Sequence, residues 1–200
     1  MGVSDIKICV SAGHHPENPG ACFVDFCEHA EALEWAIAIT DKINLIAGET
    51  IASLVPVGVL KDKVNFINNV NPLIAVELHF NSFKVWEDAN KDGLVSSDEI
   101  HNAGSGSETL YYPGSKKGQV AARCVQSVLG LVCGPNRGVK EGWYRMNKDN
   151  GPDYFLASTK CTSLIIEPDF IHRVHEIKFN KDKACEAIAQ SLKISVDRYD

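Results

Sequence analysis

Short apolar runs alternate along this chain with stretches whose apolar residues recur at helical spacing, and that alternation restricts the fold most. Residues 6–11, 73–80 and 163–166 are apolar with little change between faces, as expected of parallel strands buried on both sides. Residues 28–47 put Ala32, Trp35, Ala36, Ile39, Ile43 and Ile46 on one helical stripe. Residues 61–70 read as a helix ended by Asn71-Pro72, and residues 115–133 as one stopped by Gly134-Pro135. Residues 50–57 and 108–112 read as strands, 153–158 as a short helix and 180–199 as a final amphipathic helix. Strands interleaved with helices predict an α/β fold: a mostly parallel twisted sheet with helices on both faces. Two hundred residues suit one domain, here expected over 1–200 with an insertion at 85–105.

Ligands of such sheets sit in loops at the carboxyl ends of strands. His14, His79 and Glu167 fall at such ends, and Glu28 opens the first long helix. Two imidazoles and a carboxylate can hold zinc with its fourth position open to water, and a further carboxylate can act as the base. Each residue also has a plainer role. His14 has His15 as a rival, and both could be loop histidines without a metal. Glu28 could simply face the positive end of its helix. His79 shares a strand face with Glu77 and could be a structural histidine with a partner. Glu167 follows Leu164-Ile165-Ile166, where a charge needs a cation, and Arg173 or another basic residue could supply one.

The surrounding motifs decide among these. Ser-Ala-Gly-His-His-Pro-Glu-Asn-Pro-Gly-Ala around His14, Cys-Glu-His-Ala-Glu around Glu28, Val-Glu-Leu-His-Phe-Asn-Ser around His79 and Leu-Ile-Ile-Glu-Pro-Asp-Phe around Glu167 occur in order. Gly-Ser-Glu-Thr-Leu-Tyr-Tyr at 106–112 and Asn-Arg-Gly-Val-Lys at 136–140 join them. Together they closely resemble the zinc-dependent N-acetylmuramoyl-L-alanine amidases of bacterial cell walls and phage lysins, over nearly the whole chain. The resemblance implies zinc on His14, Glu28 and His79, with Glu167 as general base or acid. It implies hydrolysis of the amide between N-acetylmuramic acid and L-alanine in peptidoglycan. It also places Arg137 and Lys140 at the border of the cleft, and Asn81 as a residue that orients the site or contacts substrate.

A second metal is expected in the insertion. Residues 88–99 match a full EF-hand calcium loop, as in dockerin repeats. Asp88, Asn90 and Asp92 stand at its first, third and fifth positions and Gly93 at the sixth; Leu94, Ser96 and Glu99 complete the ligands. The plainer reading is an acidic hairpin around Lys91-Asp92-Gly93. With one loop, calcium is expected to be structural.

The net charge of −6 offers no electrostatic case for nucleic acid or for a general attraction to an anionic wall. No apolar stretch approaches membrane-spanning length. The first residues lack the pattern of a signal peptide, and Ile6 replaces the Ser or Thr of a myristoylation motif. Seven cysteines without a Cys-x-x-Cys motif read as reduced thiols, with Cys9, Cys161 and Cys185 in apolar surroundings. These features fit a phage lysin held in the host cytoplasm until its release to the wall. The alternatives are a bacterial autolysin or sporulation amidase, a zinc peptidase acting on the stem peptide, and a non-catalytic wall-binding module.

Overall fold

Strand β1 (Ile8–Ala12) is buried along its whole length and takes a parallel neighbour on each side. The computed structural model describes residues 6–23, 26–82, 104–143, 151–174 and 180–199. A two-stranded hairpin of β2 (Cys22–Phe23) and β3 (Phe26–Cys27) precedes helix α1 (Glu28–Ala47). Then follow β4 (Ala52–Leu54), α2 (Leu60–Val70), β5 (Ile74–Leu78) and β6 (Ser107–Tyr111). The second half holds α3 (Lys116–Val132), β7 (Asn136–Glu141), α4 (Tyr154–Ser158), β8 (Thr162–Glu167) and α5 (Lys181–Asp197). One turn of 3-10 helix covers Ile171–Arg173.

The six-stranded sheet has the order β4-β1-β5-β8-β6-β7. All its pairs are parallel except β6 with β8, which run antiparallel. The expected α/β architecture is therefore present. Ile8 and Val10 of β1, Ile74 and Val76 of β5, and Leu164 and Ile166 of β8 pack into one core with α1, α3 and α5. The residues between them face the other way. Cys9, Ala75 and Ile165 join Val64 and Ile67 of α2 and Phe155 and Leu156 of α4 in a second, smaller core. Glu77 and Glu108 fall by alternation on this second side, toward α2 and the cleft.

Two elements differ from expectation. Residues 136–141, to which the sequence assigns no element, form the edge strand β7. Their sequence carries little β signal, and pairing with β6 supplies what local preference does not. The reduced-thiol reading is corrected at Cys22 and Cys27, which form a disulfide across the β2–β3 hairpin with Cα atoms 4.0 Å apart. Cys9 and Cys185 are free and buried, as expected, whereas the free Cys161 is half-buried. Residues 88–99, and with them Asp88, Asn90, Asp92, Leu94, Ser96 and Glu99, lie outside the described residues. No described helix is long and apolar enough to cross a membrane.

Candidate active site

The carboxyl ends of β1, β5 and β8 bring three of the expected residues toward one edge of the sheet. Gly13 donates its N–H to Leu78 O, and His79 donates its own to Ile166 O, so backbone bonds continue just past the strands. His14 follows with φ 58°, a left-handed conformation that is unusual for a residue with a side chain. Phe80 fixes the next step. Its ring packs edge-on against Trp35 of α1 at 5.6 Å between centroids, an arrangement worth about 1 kcal/mol beyond simple burial. That contact draws the start of α1 against the end of β5.

Glu28, only 5% exposed, sits at the centre of the resulting cluster. Its Oε2 lies 3.1 Å from His14 Nε2, and its Oε1 lies 2.8 Å from His79 Nδ1. Backbone N–H groups of Ala21 and Phe80 donate to the same two oxygens. Burial acts to raise the Glu28 pKa, but hydrogen bonds and charges from the two histidines outweigh it and hold the carboxyl well below its usual range. Burial likewise opposes charge on His79, yet Glu28 and Glu77 overcome this and raise its pKa well above the ordinary value.

Two glycines make room for the cluster. A Cβ on Gly13 would come within 2.5 Å of the His79 ring. One on Gly20, itself at φ +79°, would come within 2.5 Å of His14 and 2.6 Å of Glu28. Ligand atoms of His14, Glu28 and His79 all lie within 4.8 Å of one another. Two neutral imidazoles and a carboxylate are the donor set of an open zinc site, so the residues present fit that metal. His14, rather than its neighbour His15, supplies the imidazole.

Beside the cluster lies a cleft of about 290 Å³ lined by His79, Asn81, Glu108, Arg137, Lys140 and Glu167, with Trp143 and Asp153 on its wall. Glu167 ends β8, and its Oε2 is buried without a hydrogen-bond partner. Burial pushes its pKa up to about 8, because the cations nearby only partly offset the loss of water and Glu28 and Glu108 add repulsion. The alternative of an Arg173 salt bridge does not occur: Arg173 pairs with Asp169 at 3.2 Å. Thus His79, Asn81, Arg137, Lys140 and Glu167 line one cleft, while His14 and Glu28 complete the His-Glu-His cluster beside it.

The sequence reading passed over Glu108, Lys63 and the disulfide. Glu108, 5% exposed, accepts hydrogen bonds from Asn81 Nδ2 at 2.9 Å and from Lys140, and lies 3.3 Å from Arg137 Nη2. Arg137 also stacks over the Phe170 ring at 4.7 Å. The positive charge of Arg137 and Lys140 is therefore partly neutralised from within. Glu108 stands between Ser107 and Thr109 in β6, and all three are buried. His172 and His29 are also buried, and His29 Nδ1 bonds Gly13 O at 2.8 Å. Glu31 accepts hydrogen bonds from Trp35 Nε1 and Lys181 Nζ.

Residues 8–198 match the family of N-acetylmuramoyl-L-alanine amidases. The chain belongs to that family. Solved structures share its fold over nearly their full length. An N-acetylmuramoyl-L-alanine amidase from Clostridium difficile 630 superposes with a TM-score of 0.70 at 19% identity, covering 98% of this chain and 97% of that one. The amidase AmiC2 of Nostoc punctiforme gives 0.69 at 17% identity, covering 99% and 98%. The catalytic domain of the CD27L endolysin targeting Clostridia difficile gives 0.66 at 23% identity, covering 96% and 97%. No curated protein matches the sequence. The amidase family's activity, hydrolysis of an amide of peptidoglycan, agrees with a cleft that holds a carboxylate with one oxygen buried and unpartnered beside a metal-competent cluster.

Proposed function

We propose that this protein is a zinc hydrolase that cuts the amide between N-acetylmuramic acid and L-alanine. His14, Glu28 and His79 would hold the zinc, which when bound would lower the pKa of a water and polarise the substrate carbonyl. Glu167 takes the water's proton and delivers it to the leaving amine of L-alanine. The observation that carries this reading is Glu167 itself: a carboxylate oxygen buried without a partner, in the same cleft as His79. A structural carboxylate in such a place would be paired. Arg137, Lys140 and Asn81 are proposed to meet the polar groups of the stem peptide, with Glu108 holding them in place.

Zinc removal tests the reading. Dialysis against a chelator should abolish release of stem peptides from peptidoglycan, and one equivalent of zinc should restore it. Activity that survives complete metal removal would refute the metal reading.

On sequence pattern alone, residues 88–99 are proposed to bind calcium structurally. A lysin is the proposed setting. The same chemistry would serve an autolysin or sporulation amidase.

A further inference from the structure

A buried ion pair lies behind the metal cluster, and it touches two of the three ligands. Lys63 of α2 and Glu77 of β5 are each 3% exposed, and their charged atoms are 3.5 Å apart. Lys63 Nζ donates to the backbone oxygens of Ala12 and His14, both at 2.5 Å. Glu77 Oε2 lies 3.2 Å from His79 Nε2, the ring nitrogen turned away from Glu28. Ser11 Oγ donates to the other Glu77 oxygen at 3.4 Å.

A pair like this is expensive as a source of stability. Taking both charges out of water costs several kcal/mol per ion by rough account, and apolar replacements often do as well. Val64 and Ile67 already supply apolar packing from the same helix. The contacts suggest a different use. A metal-bound histidine commonly donates its second N–H to a carboxylate, which fixes the ring and strengthens its basic nitrogen. Glu77 stands where that carboxylate belongs for His79. Lys63 acts on the other side, clamping the chain before and after Gly13, where His14 adopts its left-handed backbone.

We infer that Lys63 and Glu77 are positioning residues for the zinc site: Glu77 orients the His79 ring, Lys63 holds the His14 loop, and their ion pair locks the two ligands to each other. This rests on the zinc reading above. It predicts that metal affinity and ligand geometry, beyond stability alone, depend on the pair.

The test uses the whole protein. Zinc dissociation constants are measured by competition with a chromogenic chelator for wild type, Glu77→Gln, Glu77→Ala and the double variant Lys63→Met/Glu77→Gln. The double variant removes both charges and so leaves no unpaired ion in the core. Cobalt(II) spectra report the ligand field, and metal-free thermal midpoints report folding. Glu77→Ala should weaken zinc binding about 10- to 100-fold and shift the cobalt bands. Glu77→Gln, which can still accept from His79, should fall between it and wild type. The double variant should fold yet keep weakened zinc binding. Variants that fold and bind zinc with the wild-type constant and cobalt spectrum would overturn the inference while leaving the zinc reading intact. A wild type that takes up no zinc would overturn both.

Discussion

Glu108 and Glu167 face each other across the antiparallel pair β6–β8, and only one of them is provided for. Glu108 is held by Asn81, Arg137 and Lys140, whereas Glu167 keeps an oxygen bare and buried. The asymmetry divides labour within one cleft: one carboxylate arranges cations, the other is kept free for protons. Replacing Glu167 by Gln should therefore leave zinc content unchanged and lower turnover by about two to four orders of magnitude. Metal analysis and turnover on purified peptidoglycan check both halves.

The same bare carboxylate should show itself in stability before any metal is added. Its folded pKa, about 8, lies above the ordinary carboxylate value. The folded state thus holds this proton more tightly than the unfolded chain does. Its contribution to stability is complete below about pH 4, near the unfolded pKa, and is lost as pH rises toward 8. In metal-free protein, Glu167→Gln should gain on wild type in thermal midpoint as pH is raised from 5 to 8. A constant difference across that range would show that Glu167 is solvated or paired.

Zinc uptake should carry protons with it. Glu28 and Glu77, one at each ring nitrogen, favour the doubly protonated His79 in the metal-free protein. Binding at Nδ1 must displace a proton, so affinity should weaken as pH falls. Calorimetric titration in buffers of different ionisation enthalpy reads the number released. His79→Ala should lose zinc and activity together.

Much of this was legible in the sequence because the signals were local. Helix α1 begins and ends where its apolar stripe does, and β1, β5 and β8 are continuous apolar runs with His14, His79 and Glu167 at their ends. What escaped was set by tertiary contact. Strand β7 has no pattern of its own and exists by pairing with β6. The β2–β3 hairpin is too short for any periodicity, and only the fold brings its two cysteines together. Lys63 did leave a trace, one helical turn before the buried Ile67, but a lysine on an apolar stripe explains itself only when Glu77 and the His14 carbonyl appear beside it.

Arg137 is the substrate contact most open to test. It lines the cleft, stacks on Phe170 and keeps one buried nitrogen, Nη1, without a hydrogen-bond partner. A hydrogen bond from that charged group to substrate would contribute about 1.5–3 kcal/mol. Arg137→Ala should weaken apparent affinity for wall fragments by about tenfold or more, with zinc content unchanged. Unchanged affinity would reduce Arg137 to a partner of Glu108.

Calcium should stabilise the protein without entering the chemistry. Asp88, Asp92 and Glu99 crowd charge into one short segment, and a cation that binds only the folded form raises its stability. The gain is about 2.7 kcal/mol at a hundredfold excess over the dissociation constant. Added to zinc-loaded protein, calcium should raise the thermal midpoint of wild type more than that of Asp88→Ala. Equal shifts would leave only an acidic hairpin.

The central claim is the bond that is cut and the carboxylate that helps cut it. Purified peptidoglycan digested with the zinc-loaded protein, then analysed by mass spectrometry, tests it most directly. The account predicts stem peptides released with a free L-alanine amine, glycan strands left with intact lactyl groups, and neither product from Glu167→Gln or from chelated enzyme. Fragments cut within the stem peptide or between sugars, or full release by Glu167→Gln, would contradict it.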